Sequence, residues 1–115
     1  MITLYGIPQC DTVKRARAWL TGRGLELHFH DFKKLGVPEP RLDAWLAAVG
    51  WETLLNRRGT TWRALNDAQR AAVTGPAAAR ALMLVHTSVI KRPVVEWPDG
   101  SITLGFEPQD WSARF

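Results

Sequence analysis

The first third of the chain changes from a strand pattern to a helical pattern and back again. Residues 2–5, ITLY, form a short β-branched and aromatic run that ends at a glycine, which predicts a first strand. From Asp11 the apolar residues recur at helical spacing, and the segment TGRG at 21–24 ends the predicted helix. Residues 25–32, LELHFHDF, alternate between apolar and polar and predict a second strand. A strand, a helix and a strand in this order form a βαβ unit, whose strands run parallel.

The middle of the chain has a helical pattern. Residues 38–50 carry leucine, tryptophan and valine at helical spacing. A loop is predicted at 56–65, NRRGTTWRAL, and two short helices are predicted after it, at 66–73 and 75–85. We therefore expect a helical insertion over about 36–86.

The last quarter returns to strands. Residues 91–97, KRPVVEW, are β-rich after the proline, PDG at 98–100 is a turn signal, and SITLGF follows at 101–106. This pattern predicts an antiparallel hairpin. The final segment, EPQDWSARF at 107–115, predicts a short helix.

The resulting order, βαβ, helical insertion and ββα, is that of a thioredoxin-like fold with extra helices in its middle. The predicted class is α/β with a mixed four-stranded sheet. A chain of 115 residues has the length of one domain. We expect a single domain over 1–115, with its core formed by about 1–35 and 87–115.

Composition narrows the functional classes. One cysteine excludes an internal disulfide, and no apolar run reaches the ~20 residues of a membrane span. We therefore expect a cytoplasmic protein that binds no membrane. The net charge of +4 comes from basic residues in short groups, so we do not expect direct nucleic-acid binding. His28 and His30 share a face of the second strand without a matching ligand cluster, so no metal site is predicted.

The single cysteine, Cys10, lies at the junction between the first strand and the first helix. The unpaired N–H groups and positive dipole of a helix N-terminus favour an anion, which lowers the pKa of a thiol there. Lys14 and Arg17 add positive charge on the following turns. The alternative is a small buried hydrophobic residue, the commonest state of a lone cysteine. Val13 stands where a C-x-x-C pair would have its second cysteine, so a reaction at Cys10 needs a sulfur from another molecule.

Two further segments are candidates for the site. IKRP at 90–93 contains Arg92 and Pro93; in a thioredoxin-like fold this loop faces the thiol, its proline is cis, and the residue before it pairs with a bound peptide. Arg92 would also place a guanidinium near the sulfur. The alternatives are a surface arginine and an ordinary proline at the start of a strand. LNRRGTTWR at 55–63 suits an anion-binding loop or, equally, a solvated one.

Three segments in this order, LYGIPQCDTVKRARAWL, GWETLLNRRGTTWRAL and ALMLVHTSVIKRPVV, resemble the arsenate-reductase-like ArsC family. The resemblance is nearest to its small YffB-like branch of glutathione-dependent thiol reductases, and the Spx-type RNA polymerase-binding regulators form a sister branch. It implies that Cys10 is the nucleophile and that Arg92 precedes the cis-proline Pro93. It also implies that Arg58 is the arginine of the insertion loop, the segment at 55–63. The implied substrate- or glutathione-binding residues are Gln9, Arg58, Arg92 and Pro93.

The chain also departs from the family pattern. The resemblance implies three arginines around the cysteine in glutathione-dependent arsenate reductases. This chain has Asn56 at one of those positions, and Gly105 and Phe106 where another would lie. Arg57 or Arg58 is the candidate to replace one of the missing two. Arsenate is therefore not the expected physiological substrate.

The first hypothesis is a monothiol, glutathione-dependent reductase that uses Cys10 on a small oxyanion or a thiol/disulfide substrate. Glutathione is then a co-substrate, glutathione or glutaredoxin resolves the intermediate, and no bound cofactor is expected. The alternative is a Spx-like regulator without catalytic activity that binds an RNA polymerase subunit or another protein. A true arsenate reductase is the least favoured of these three hypotheses.

Overall fold

The computed structural model describes residues 1–115, and its strands form one mixed sheet. The strand order is β2-β1-β3-β4. The strands are β1 (Ile2–Gly6), β2 (Leu27–Asp31), β3 (Val94–Glu96) and β4 (Ile102–Leu104). β2 is parallel to β1, whereas β3 is antiparallel to both β1 and β4. The predicted α/β class with a mixed four-stranded sheet, its βαβ unit and its terminal hairpin are confirmed.

Eight helices and one 3₁₀ turn complete the chain. The helices are α1 (Asp11–Gly22), α2 (Phe32–Leu35), α3 (Glu39–Val49), α4 (Trp51–Leu54), α5 (Thr60–Ala64), α6 (Asp67–Ala71), α7 (Pro76–Val85) and α8 (Pro108–Ser112), and the 3₁₀ turn is Thr87–Val89. None of the helices is long and apolar enough to span a bilayer. The loop predicted at 56–65 is partly wrong, because it contains α5. A helix of five residues is little more than one turn, too short to show a period.

The chain divides into two compact units. The first unit comprises residues 1–32 and 92–115, and it contains the sheet. Alternate residues of β1 and β3 face α1 and α8 because side chains alternate across a strand. This core consists of Ile2, Leu4, Val13, Ala16, Leu20, Val95, Trp97 and Trp111. Trp111 is 1% exposed and anchors α8, with its ring centroid 5.1 Å from that of Trp97.

The opposite face of the sheet in this unit is more polar. Tyr5 is buried, and its hydroxyl donates a 2.7 Å hydrogen bond to Oε1 of Glu96. The two residues lie diagonally across the β1–β3 pair, since Tyr5 is opposite Val94 and two residues from the partner of Glu96. The rings of His30 and Phe32 lie 5.1 and 6.2 Å from that of Tyr5.

The second unit comprises residues 33–91 and is helical. α3 and α4 pack against each other, and both pack against α7. The buried residues include Leu42, Trp45, Leu54, Ala79, Met83 and Val89. Arg80 of α7 binds α3 from outside: its Nε donates to Asp43 Oδ1 at 2.7 Å and its Nη2 to Glu39 Oε1 at 3.0 Å.

Candidate functional site

Cys10 is the N-cap residue of α1, at the end of a tight turn that leaves β1. Its N–H donates to the carbonyl of Ile7 at 3.1 Å, and its own carbonyl accepts the N–H of Lys14 at 2.9 Å. The side chain is partly exposed. The backbone is extended at φ −73° and ψ 124°, as is usual at this position. The polypeptide therefore presents a reachable sulfur at the start of a helix.

Several groups act on the ionisation of this thiol. Burial raises the pKa, but the N–H groups of Val13 and Thr12 and the side chain of Arg92 hold it below its ordinary value. The Cys10 side chain makes no capping hydrogen bond. The Val13 and Thr12 amides lower the pKa because an N–H group at a helix start stabilises the thiolate. The thiolate is the nucleophilic form of cysteine. The site therefore favours the reactive species.

Arg92 and Pro93 lie immediately before β3. The Arg92 guanidinium acts on the Cys10 thiol as a hydrogen-bonding group and as a positive charge, and both effects help to lower its pKa. The Arg92–Pro93 peptide bond is cis. The carbonyl of Pro93 accepts the N–H of Gly105 at 2.9 Å. The structure thus brings Cys10 and Arg92 together, with Pro93 next to Arg92 in the loop.

Gln9, Arg58 and Arg17, the other residues considered from the sequence, each have a different environment. Gln9 is exposed in the turn beside Cys10. Arg58 belongs to the second unit, where it is exposed and its N–H donates to Asn56 Oδ1 at 3.1 Å. Arg17 lies with its guanidinium 4.1 Å from the centroid of the Phe29 ring. The side-chain charge that lowers the pKa of the thiol is that of Arg92, whereas the sequence pattern suggested Lys14 and Arg17.

The position of a resolving cysteine holds a fully buried side chain. Val13 is 0% exposed, and a Cβ on Gly6 would lie 2.7 Å from its Cγ2. The valine fills space that the absent side chain of Gly6 leaves open. Residue 13 is therefore part of the core, and Cys10 is the only thiol of the chain.

The positions at which the family pattern is missing have structural roles. Asn56 shapes the insertion loop, since its Oδ1 accepts the N–H of Arg58 and its N–H donates to the carbonyl of Val89 at 2.7 Å. Gly105 adopts a positive φ of 78°. The Phe106 ring packs 5.0 Å from that of Trp111. In this chain Asn56 and Gly105 therefore determine the local backbone conformation, and Phe106 packs against the core.

Sequence reasoning missed two neighbours of the predicted residues. Gly105 was noted only as a departure, although its N–H contacts the carbonyl of Pro93; an isolated glycine at the end of a strand pattern is the signal that points to such a close approach. Sequence reasoning does not single out Lys91, which lines a pocket with Arg57 and Arg58. No three histidine, cysteine or acidic side chains are grouped as metal ligands.

A mixed sheet of this order, a cysteine at the start of α1 and a cis-proline before β3 define a thioredoxin-like α/β protein with a single thiol. Residues 5–114 match the ArsC family, and the chain belongs to that family as an arsenate-reductase-like thiol reductase.

Three relatives agree with this membership. A solved protein called YFFB is 45% identical, with 98% of this chain and 97% of that chain covered and a TM-score of 0.91. An arsenate reductase (ArsC) related protein from Brucella melitensis is 48% identical over 97% of this chain and 92% of its own, with a TM-score of 0.76. An uncharacterised protein of Haemophilus influenzae is 35% identical, over 100% of this chain and 99% of its own. The predicted resemblance to the ArsC family and its YffB-like branch is confirmed.

Proposed function

We propose that the protein is a monothiol oxidoreductase that uses Cys10 and glutathione to reduce mixed disulfides. The observation that carries the proposal is the Cys10 thiol at the start of α1, with its pKa lowered by the helix amides and by Arg92. A thiol with a lowered pKa is more often in the thiolate form than an ordinary cysteine, and the thiolate is the nucleophile. The absence of a second thiol in the chain requires that the resolving sulfur be external.

The reaction has two exchanges. The Cys10 thiolate attacks the glutathione sulfur of a glutathione mixed disulfide, forms a Cys10–glutathione disulfide and releases the substrate thiolate, which takes up a proton. A second glutathione, as its thiolate, then attacks the glutathione sulfur of that intermediate, giving glutathione disulfide and free Cys10 thiolate. The substrate disulfide gains two electrons, and two glutathione sulfurs end as one disulfide.

The predicted site residues have separate roles in this proposal. Arg92 stabilises the thiolate before the attack and when it leaves in the second exchange. The backbone around Pro93 presents an extended edge on which a peptide-like partner can pair. Gln9 and Arg58 are proposed to bind polar groups of glutathione.

The first test is the formation of the intermediate. Wild-type protein is incubated with oxidised glutathione, and its intact mass is measured. We expect one glutathionyl group on the wild type and none on Cys10→Ser. Absence of the adduct on the wild type, or equal modification of both proteins, would overturn the proposal.

The second test separates reaction at the thiol from turnover. Reduction of a small glutathione mixed disulfide is followed in the presence of reduced glutathione, with glutathione reductase reporting the disulfide formed. We expect turnover by the wild type, none by Cys10→Ser and a slower rate for Arg92→Met. Lys34→Met is the matched control, because Lys34 is an exposed basic residue of the other unit and its loss should leave the rate unchanged.

A further inference from the structure

The second unit contains a small polar pocket beside the insertion loop. Its volume is about 330 Å³, within the range of small-molecule sites. It is lined by Glu52, Leu55, Asn56, Arg57, Arg58 and Lys91. The lining combines three cationic side chains, one acidic side chain and one amide.

The backbone of this pocket is held by pairing between two distant segments. Leu55 and Ile90 form an isolated antiparallel bridge. The N–H of Lys91 donates to the carbonyl of Leu54 at 2.9 Å. Leu54, Leu55 and Ile90 are each no more than 2% exposed. The bridge fixes Lys91 next to the chain that enters the insertion loop.

Asn56 sets the course of that loop. Its N–H is bonded to the carbonyl of Val89, and its Oδ1 accepts the N–H of Arg58. A Cβ on Gly59 would lie 2.8 Å from Asn56 Nδ2, so the glycine makes room for the asparagine amide. The turn bearing Arg57 and Arg58 therefore has a defined backbone before any ligand binds.

The charged side chains of the pocket are not neutralised by one another. Arg57, Arg58 and Lys91 make no salt bridge, and neither does Glu52. The Arg57 guanidinium lies 5.5 Å from the centroid of the Trp51 ring, which supports it from one side. Guanidinium and ammonium groups bind carboxylates, and a carboxylate binds an ammonium group.

We propose that this pocket binds an α-amino-acid group, its carboxylate facing Arg57, Arg58 and Lys91 and its ammonium facing Glu52. A simple anion would use the cationic residues and be repelled by Glu52, whereas a zwitterion uses both signs of charge. The γ-glutamyl end of glutathione has this chemistry. The choice of glutathione as the ligand rests on the proposed function, and the pocket by itself predicts only the amino-acid group that it binds.

The experiment uses Cys10→Ser protein, so that no thiol exchange occurs. Backbone amide shifts of residues 56–59 and 91 are followed by nuclear magnetic resonance during titration with reduced glutathione and, separately, with N-acetylglutathione, which lacks the ammonium group. We expect glutathione to bind roughly fivefold more tightly than the acetylated form, a change on the scale of one exposed charge pair.

Substitutions distinguish a zwitterion site from a simple anion site. Glu52→Gln should weaken glutathione binding and strengthen N-acetylglutathione binding, because it removes both an ammonium partner and an anion repulsion. Lys91→Met should weaken both. Glu26→Gln and Lys34→Met, at exposed positions outside the pocket, are the matched controls and should change neither.

Each outcome bears on one proposal. Equal binding of the two peptides, no effect of Glu52→Gln, or no shift at residues 56–59 and 91 overturns the amino-acid pocket. Those results leave the thiol reductase standing if the wild type still forms its adduct with oxidised glutathione. Pocket binding without such an adduct overturns the thiol reductase alone.

Discussion

Gly6 and Val13 are packed so closely that a Cβ on residue 6 would lie 2.7 Å from Val13 Cγ2. β1 ends at Gly6, and Val13 is buried in the first turn of α1. This contact fixes the strand end against the helix that carries Cys10. The glycine is needed for the space it leaves open.

Gly6→Ala should therefore destabilise the protein. Overpacking a buried contact of this kind typically costs about 1–3 kcal/mol, and the loss is measured by urea unfolding. Gly22→Ala is the control, because Gly22 lies at the end of α1 and a Cβ added there would have no neighbour within 4 Å; it should be neutral or slightly stabilising. Equal stability of Gly6→Ala and wild type would show that Val13 can move aside.

Arg92→Met should raise the pKa of the Cys10 thiol. Burial raises this pKa, and the Val13 N–H and the Arg92 side chain lower it; removing the guanidinium leaves burial less opposed. Thiolate absorbance in the ultraviolet, measured against pH, gives the value. Arg17→Met is the comparison, since its guanidinium lies over Phe29, and an equal shift in both variants would contradict the role given to Arg92.

The same pKa links the thiol to stability. The folded-state pKa of Cys10 is lowered, whereas an unfolded thiol titrates at about 8.5. The thiolate therefore stabilises the fold fully above the unfolded value, and this stabilisation is lost as the pH falls through the folded value. The difference in unfolding free energy between wild type and Cys10→Ser should grow in favour of the wild type as the pH rises through this window. A difference that is constant with pH would contradict the lowered pKa.

Tyr5→Phe should destabilise the β1–β3 pair. It removes the hydrogen bond from the buried Tyr5 hydroxyl to Glu96 Oε1, at a cost of about 1–3 kcal/mol. A double-mutant cycle with Glu96→Gln, measured by urea unfolding, isolates the pair. Additive losses would mean that the two side chains stabilise the sheet independently.

Trp111→Ala should be the most damaging single change in α8. The side chain is 1% exposed and its ring contacts those of Trp97, Trp19 and Phe106, so its loss should cost about 3–5 kcal/mol. Phe115→Ala, at a position 60% exposed, should cost less than about 1 kcal/mol. Thermal unfolding followed by circular dichroism compares the two, and similar losses would show that α8 is not anchored by Trp111.

The regular elements are predictable from sequence because their hydrophobic patterns are long or are bounded by clear turn residues. α1 and α3 repeat their apolar residues over several turns, and the turn at 98–100 marks the hairpin. α4 and α5 are not predictable in this way, because four and five residues make little more than one turn. Burial of Leu54 and packing against α3 and α7 hold α4 in place, whereas α5 buries no side chain.

The site is predictable only in part for the same reason. The position of Cys10 at a helix start follows from local signals: a glycine ends the preceding strand pattern, and helical spacing begins at Asp11. The effect of Arg92 on the sulfur depends on the pairing of β3 with β1, across nearly the whole chain. It could be predicted only through the expected thioredoxin-like fold and the family resemblance. The position of Lys91 depends on the single bridge between Leu55 and Ile90, which leaves no periodic trace in the sequence.

The backbone at Gly105 also limits how this chain could evolve. With φ at 78° and its N–H bonded to Pro93, a residue with a side chain there would be strained by about 1–2 kcal/mol. The neighbouring Phe106 is committed to the aromatic cluster around Trp111. An arginine at either position would therefore lower the stability of the fold. A three-arginine site could be installed in this chain only together with changes elsewhere that restore the lost stability.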